Sequence, residues 1–340
     1  MRSHPCRILL AAAVAWTSAH AATLRVVTTT ADLKSLAEHV GGDRVQVTAI
    51  AQGNQDPHYI EAKPSYILHA RRADLWIRAG LDLEVGWEPV ILEGSRNRRI
   101  QIGAPGHLDA SEGIEPLEAV GGIAHPLAGD IHPRGNPHYW VDPWNGRLAA
   151  KAIAARLAKL APADAEYFAS RLRDFHTRLD EAMFGPEAVG KLGGEQLWDA
   201  QRRGELATLL AEHKLALGGW AGKMRPFRGA KIAAYHRSWV YFARRFGLEV
   251  AAELEPKPGV PPSPSHLRGV VERIRREDIR ALLVEPFYDP RAPKLVAERT
   301  GINVLTLAIS VGGQDGVDDY LALISNIVAR LSVALEGVKQ

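Results

Sequence analysis

The sequence predicts an α/β protein, with two α/β halves arranged around a helical middle. Three observations carry this reading. Short β-rich runs alternate with helical patterns between residues 24 and 92, and the same alternation returns between residues 231 and 335. Between them, residues 145–184 carry alanines, leucines and aromatics at helical spacing. A chain of 340 residues is long enough for two domains that each bury a core.

In chain order, residues 1–22 come first and differ from the rest. Arg2 and Arg7 form a short positive region, residues 8–16 are apolar, and Ala19-His20-Ala21 reads as a small-x-small cleavage site, so a signal peptide is expected. The apolar run is too short to span a bilayer, and no later segment reaches the roughly 20 apolar residues that a membrane helix needs. Cys6 is the one cysteine, and it precedes the apolar run, so it is not placed to carry a lipid behind a signal. A mature chain without thiols excludes disulfides, thiolate metal sites and a cysteine nucleophile. Export without a lipid anchor suggests a soluble protein held in a Gram-negative periplasm. Loss of Arg2 and Arg7 would take the formal charge from +3 to about +1, which gives no reason to expect nucleic acid or an anionic membrane as partner.

Residues 23–144 read as the first lobe: strand 24–30, helix 33–40, strand 45–50, helix 64–72, strand 74–79 and helix 86–92. Residues 145–185 are helical. A helix over 145–160 is interrupted at Pro162 and resumes over 163–184, with Tyr167, Leu172, Phe175 and Leu179 on one repeating face. Pro162 suits the first turn of that second helix, where its missing N–H costs nothing. At 1.5 Å per residue the second helix runs about 30 Å, enough to pass from one domain to the other. Residues 186–340 read as the second lobe. It opens with a Gly-, Lys- and Trp-rich helical or loop insertion at about 186–229, to which no chemistry is assigned. Strands at 231–234, 248–252, 281–284 and 304–307 then alternate with helices at 239–246, 265–276, 293–300 and 319–335. No internal repeat is visible.

Three histidines each stand just beyond a strand, where open α/β sheets bind ligands. His58 lies in Asp56-Pro57-His58-Tyr59, His138 in Asn136-Pro137-His138-Tyr139-Trp140, and His236 in Ala234-Tyr235-His236-Arg237-Ser238. Pro57 and Pro137 fix φ immediately before two of them. Glu285 ends the strand 281–284 and is the fourth candidate. Three imidazoles and one carboxylate make a four-coordinate set suited to Zn²⁺. Two of these residues come from each half, as expected of a clamp between lobes.

The sequence resembles the metal-binding solute-binding proteins of zinc- and manganese-type ABC importers, the cluster 9 or A-I group, from about residue 24 to 335. The matching motifs are Asp56-Pro57-His58 with Lys63-Pro64-Ser65, Ala73-Asp74-Leu75 with Gly80-Leu81, and Pro137 through Pro143. They continue with Tyr235-His236-Arg237-Ser238-Trp239 before Tyr241-Phe242, then Pro262-Ser263-Pro264 and Val284-Glu285-Pro286. The resemblance implies two α/β lobes joined by one long rigid helix, with metal bound between them. It places His58, His138 and His236 on the first three ligand positions. A histidine at the third position, where manganese-type members usually carry glutamate, implies the zinc type. The family's fourth ligand is usually an aspartate in an Asp-Ser-Leu-Gly-like segment. Here that segment reads Ile309-Ser310-Val311-Gly312, so the carboxylate is missing. Glu285 is expected to supply the fourth ligand, with a supporting hydrogen-bond role for Glu285 or a water ligand as the alternatives. Asp289, Asp315 and Asp318 are lesser candidates.

Zinc-type relatives often carry a histidine-rich acidic loop, and His107, His125, Asp130 and His132 resemble a reduced version. They are expected to form a solvated loop, the alternative being a weak secondary site. His39, His69, His176, His213 and His266 read as structural. The resulting expectation is a monomeric, non-enzymatic carrier with one tight Zn²⁺ as its transported ligand and a membrane permease as its partner. A manganese or iron carrier of the same family is the runner-up, and a secreted zinc hydrolase is the rival from another class. The rival lacks a His-Glu-x-x-His helix and a Gly-x-Ser-x-Gly elbow.

Overall fold

The computed structural model describes residues 23–121 and 132–337; the expected signal peptide at 1–22 lies outside them. The first lobe runs β1 (Leu24–Thr28), α1 (Ala31–Gly41), β2 (Val45–Ala49), α2 (Pro64–Arg72), β3 (Leu75–Arg78), α3 (Glu88–Ser95) and β4 (His107–Asp109). Its four strands pair in parallel in the order β2-β1-β3-β4. The middle holds α4 (Pro143–Leu160) and α5 (Ala165–Phe184), followed by four short helices: α6 (Pro186–Leu192), α7 (Gly194–Arg203), α8 (Leu206–Glu212) and α9 (Gly219–Met224). The second lobe runs β5 (Lys231–Ala234), α10 (Val240–Phe246), β6 (Glu249–Glu253), α11 (Pro264–Arg276), β7 (Ala281–Val284), α12 (Arg291–Thr300), β8 (Asn303–Thr306) and α13 (Tyr320–Glu336). Its parallel order, β6-β5-β7-β8, repeats that of the first sheet. The repeat that the residues do not display is therefore present in the topology.

Both sheets are covered on both faces, which is why their strands read as apolar runs and not as alternating ones. Successive side chains still point to opposite sides. On β3, Leu75 and Ile77 enter the large central core, whereas Trp76 packs outward with Trp87 and Ile91. On β7, Ala281 and Leu283 face the centre, and Leu282 and Val284 face the outer layer of α11 and α12. The central core is shared: it joins α1, α4 and α5 to α9, α10 and α13. The 20-residue α5 packs on α1 of the first lobe and α13 of the second, and on α4 and α9 of the middle, which makes it the long connecting helix. Pro162 lies in a 3-10 turn (Pro162–Asp164) just before α5 rather than in its first turn.

Caps place the helices that frame the cleft. Asp142 accepts from Trp144 N at 3.0 Å ahead of Pro143, starting α4. The same buried carboxylate takes Arg245 of α10 in a two-pronged pair, at 2.7 and 3.0 Å. The lobes also meet directly. Trp140 Nε1 donates to the Ile309 carbonyl at 2.7 Å, and Tyr320 N donates to Ser35 Oγ at 2.9 Å. Asp32 accepts from Val311 N at 3.0 Å. Gly53 lies so close to the Val311 carbonyl that a Cβ there would collide with it.

Asp32 is fully buried, and burial raises its pKa to about 7 against the hydrogen bonds from Val311 and Ser310, which lower it. An acid with a raised folded pKa contributes fully to stability below its unfolded value near 3.9 and loses that contribution as pH rises through the folded value. Asp32→Asn keeps an acceptor but cannot ionise. Its stability relative to the parent, measured by denaturant unfolding, is expected to grow from about pH 4 to about pH 7 and then level off. A pH-independent difference would contradict the buried, titrating Asp32.

Candidate metal centre

The three histidines are delivered by three different junctions. His58 follows β2 in the loop before α2 and His236 follows β5, but His138 does not stand beyond a strand as expected: it directly precedes the turn into α4. Two of them use the same local device. Asp56 Oδ1 accepts from both the backbone N and the Nδ1 of His58, at 3.0 and 2.7 Å. Asn136 Oδ1 does the same for His138, at 3.0 and 3.0 Å. An Asx side chain two residues upstream of the histidine, with proline between, therefore fixes the backbone and the ring together. His236 Nδ1 reaches Glu255 Oε2 at 2.7 Å.

Each of these partners is a hydrogen-bond acceptor, so each Nδ1 carries a proton, and in the neutral ring that binds metal Nε2 carries the lone pair. The ring centroids lie 5.0 Å (His58–His138), 5.6 Å (His58–His236) and 5.2 Å (His138–His236) apart. One ligand atom from each ring can be chosen so that all three lie within 4.8 Å of one another. Tetrahedral nitrogen ligands at about 2.0–2.1 Å from an ion sit roughly 3.4 Å apart, so a small inward adjustment suffices. All three side chains are buried, with relative exposures of 9%, 1% and 2%. Burial, followed by the like charges that His58 and His236 would carry, pulls the His138 pKa well below its ordinary value. Burial works to raise Asp56, but its hydrogen bonds with His58 prevail and its pKa is lowered.

Glu285 stands apart from this group. Its carboxylate is completely buried, and burial raises its pKa to about 7, opposed by the charge of His236 and by Ser238 and Trp239. The Ser238 hydroxyl and the Trp239 indole face it without completing hydrogen bonds of ordinary geometry. It is not among the donors that converge within 4.8 Å. Ile309 is buried and offers only its carbonyl, which Trp140 takes. Asp289 is exposed and paired with Arg291, and Asp315 and Asp318 are exposed.

The remaining histidines divide. His39 stacks on Phe175 at 5.0 Å, His176 Nε2 meets the Arg147 carbonyl at 3.2 Å, and His266 Nε2 meets the Glu253 carbonyl at 3.0 Å, all packing roles. His69 and His213 are exposed and support no packing, contrary to the structural role expected of them. His107 is not in a loop: it opens the edge strand β4, buried, with Nε2 3.6 Å from Glu88. His125 and Asp130 lie outside the described residues. His132 does not sit in a solvated loop either. Its ring lies 5.1 Å from that of His58, and both its nitrogens are buried. Sequence reasoning misses Asp56, Asn136 and Glu255, although the shared Asx-Pro-His spacing of the first two is visible there.

A cavity of about 160 Å³ opens beside the cluster, with Glu118, His132, His138, His236 and Arg237 among its walls. That is well below the roughly 300–1,000 Å³ of pockets that hold drug-sized organic ligands, and it suits an ion with a few waters.

Two parallel α/β lobes bridged by one long helix, with clustered imidazoles at their junction, define a metal-binding solute-binding protein of an ABC importer. The chain belongs to the family described as zinc-uptake complex component A, periplasmic (ZnuA), which matches residues 26–183 and 207–334. The unmatched stretch covers α6 and α7. The chain is similar to the manganese ABC transporter substrate-binding lipoprotein PsaA of Streptococcus anginosus, with 23% identity covering 92% of this chain and 89% of the relative. It is also similar to the metal ABC transporter substrate-binding lipoprotein FimA of Streptococcus parasanguinis, with 24% identity covering 98% and 94%. In fold it resembles a crystal structure of ZnuA, with a TM-score of 0.67 and 19% identity over 92% of this chain and 98% of that one. A manganese-bound periplasmic metal-binding protein from Candidatus Liberibacter asiaticus gives a TM-score of 0.63 at 19% identity, over 92% and 99%. This is a transport family whose members work outside the cytoplasm with a membrane permease. Among the described residues no helix is long and apolar enough to cross a membrane.

The acceptors behind the rings give a direct expectation. Glu255→Ala frees His236 to rotate and to change tautomer, so metal affinity should fall by about 10–100-fold while the fold survives. Calorimetric titration checks this, and parent-like affinity would show that Glu255 does not set the ring.

Proposed function

We propose that this protein captures a zinc ion in the periplasm and presents it to the permease of an ABC importer. His58, His138 and His236 are the donors in this reading. The observation that supports zinc is the donor set: three imidazoles converge, each Nδ1 meets an acceptor, and among the described residues no carboxylate belongs to the group. Neutral imidazole suits zinc, whereas manganese prefers carboxylate, carbonyl and water oxygens. Glu285 acts in this reading as a buried acid beside His236 that ionises when the cation arrives, adding negative charge without touching the ion. A manganese cargo is the second reading, favoured by the manganese named for the streptococcal relatives.

The protein purified without a histidine tag should bind one Zn²⁺ tightly per chain, and excess Mn²⁺ should not displace it. His236→Ala should weaken Zn²⁺ binding by orders of magnitude without unfolding the protein. Tight Mn²⁺ binding that Zn²⁺ fails to displace would favour the second reading.

Imidazoles bind metal only when neutral, so affinity must fall as pH falls. With unperturbed imidazole values near 6.5, and His138 held below that by burial, the loss should set in below about pH 6. Each ion released should take up more than one proton. Constant affinity between pH 7.5 and 5, measured by competition with a pH-insensitive indicator, would rule out a three-imidazole site.

A further inference from the structure

We propose that His132 is the fourth donor of this centre, so that the captured ion is held by four imidazoles. The proposal rests on the reading of His58, His138 and His236 as the metal site. Its ground is the placement of the ring. The His132 centroid lies 5.1 Å from that of His58, as close as the 5.0–5.6 Å separations within the three-histidine group. Both its ring nitrogens are buried, and neither has a hydrogen-bond partner. The Asp82 backbone faces the ring without completing a bond of ordinary geometry. Native structures rarely leave a buried polar ring unanswered at both nitrogens, and such exceptions mark an ion or a functional site.

The ring is held where it is by its own neighbours. Asp82, at a left-handed φ of 67°, accepts from Arg134 N at 3.1 Å and from Arg134 Nε at 2.5 Å. The Pro133 carbonyl accepts from Val120 N and Gly121 N, at 3.2 and 2.9 Å, and the His132 carbonyl accepts from Gly135 N at 3.0 Å. Asp82 and Arg134 are therefore positioning residues for His132. The usual source of a fourth ligand is closed, because position 309 is an isoleucine. His132 and Glu285 both lie outside the group that converges within 4.8 Å. His132 is the one whose ring stands beside a ligand ring, so it has to move inward with the ion. Four neutral imidazoles leave the charge of the ion uncompensated among its direct ligands. Asp56 and Glu255, hydrogen-bonded behind His58 and His236, supply two negative charges at one remove. A four-nitrogen set also discriminates more strongly against manganese than three imidazoles and a carboxylate would.

The test uses Zn²⁺ competition titration and the absorption spectrum of the Co²⁺-loaded protein, on the full mature chain and its His132→Ala variant. The parent should give a tetrahedral Co²⁺ spectrum that added free imidazole does not alter. His132→Ala should lose Zn²⁺ affinity by about 100-fold or more, beyond the usual cost of losing an outer partner. Its Co²⁺ spectrum should shift, and free imidazole should restore both the spectrum and part of the affinity. Arg134→Ala, which frees the segment but keeps the imidazole, should give a smaller loss that free imidazole also relieves. Parent-like affinity and spectrum in His132→Ala would overturn the proposal and leave the three-histidine site intact. A parent that binds neither Zn²⁺ nor Co²⁺ tightly would instead overturn the reading on which it rests.

Discussion

Three buried imidazoles facing one another cannot satisfy one another. Each has given its proton-bearing Nδ1 to an acceptor, Asp56, Asn136 or Glu255, and this forces the remaining lone pairs toward a common region. In the metal-free protein that arrangement carries a cost, since the Nε2 of His58 is buried without a partner. A cation removes the cost, and the same acceptors that fix the rings then share its positive charge. Part of the ligand affinity is thus stored in the unsatisfied Nε2 of His58, held in place by the scaffold. The rest of the structure can be understood as what keeps it from relaxing.

The scaffold does so by tying the two lobes into one core. The long α5, the Asp142–Arg245 pair and the contacts of Trp140 with Ile309 and Tyr320 with Ser35 all cross between parts of the chain that are distant in sequence. Gly53 admits a close backbone approach that any side chain would block. Gly146 plays the same part inside α4, where the Tyr320 hydroxyl occupies the space a Cβ would need before donating to the Trp140 carbonyl at 2.5 Å. Trp140 is therefore held at both its indole and its backbone, two residues from His138. Packing around Trp140 thus adds to the Asn136 hydrogen bonds in setting the position of that ligand.

Most of this architecture is legible in the sequence, for a physical reason. Parallel strands covered on both faces need apolar runs such as Ala281–Val284, and the helices between them need periodic faces, so the alternation is written in composition. The edge strand β4 is not legible, because His107-Leu108-Asp109 is three residues long and mostly polar, and it is recruited by pairing with β3. The short helices α6–α9 offer no long periodic face of their own. Of the site, His58, His138 and His236 are legible as residues beyond strands and turns, and Asp56 and Asn136 could have been found from the spacing they share. Glu255 could not, and His132 is visible only as part of a histidine-rich loop, not as a neighbour of His58. Their places depend on how the segment after β6 returns to His236, and on how Pro133 and Arg134 dock on Val120, Gly121 and Asp82.

The central claim is that the imidazoles are preset for metal before any metal arrives. Nitrogen-15 NMR of the imidazole rings in the metal-free protein at pH 7.5 tests it most directly. The account predicts that His58, His138 and His236 each populate a single tautomer, with the proton on Nδ1 and the lone pair on Nε2. Rings that average between tautomers, or that carry the proton on Nε2, would contradict it.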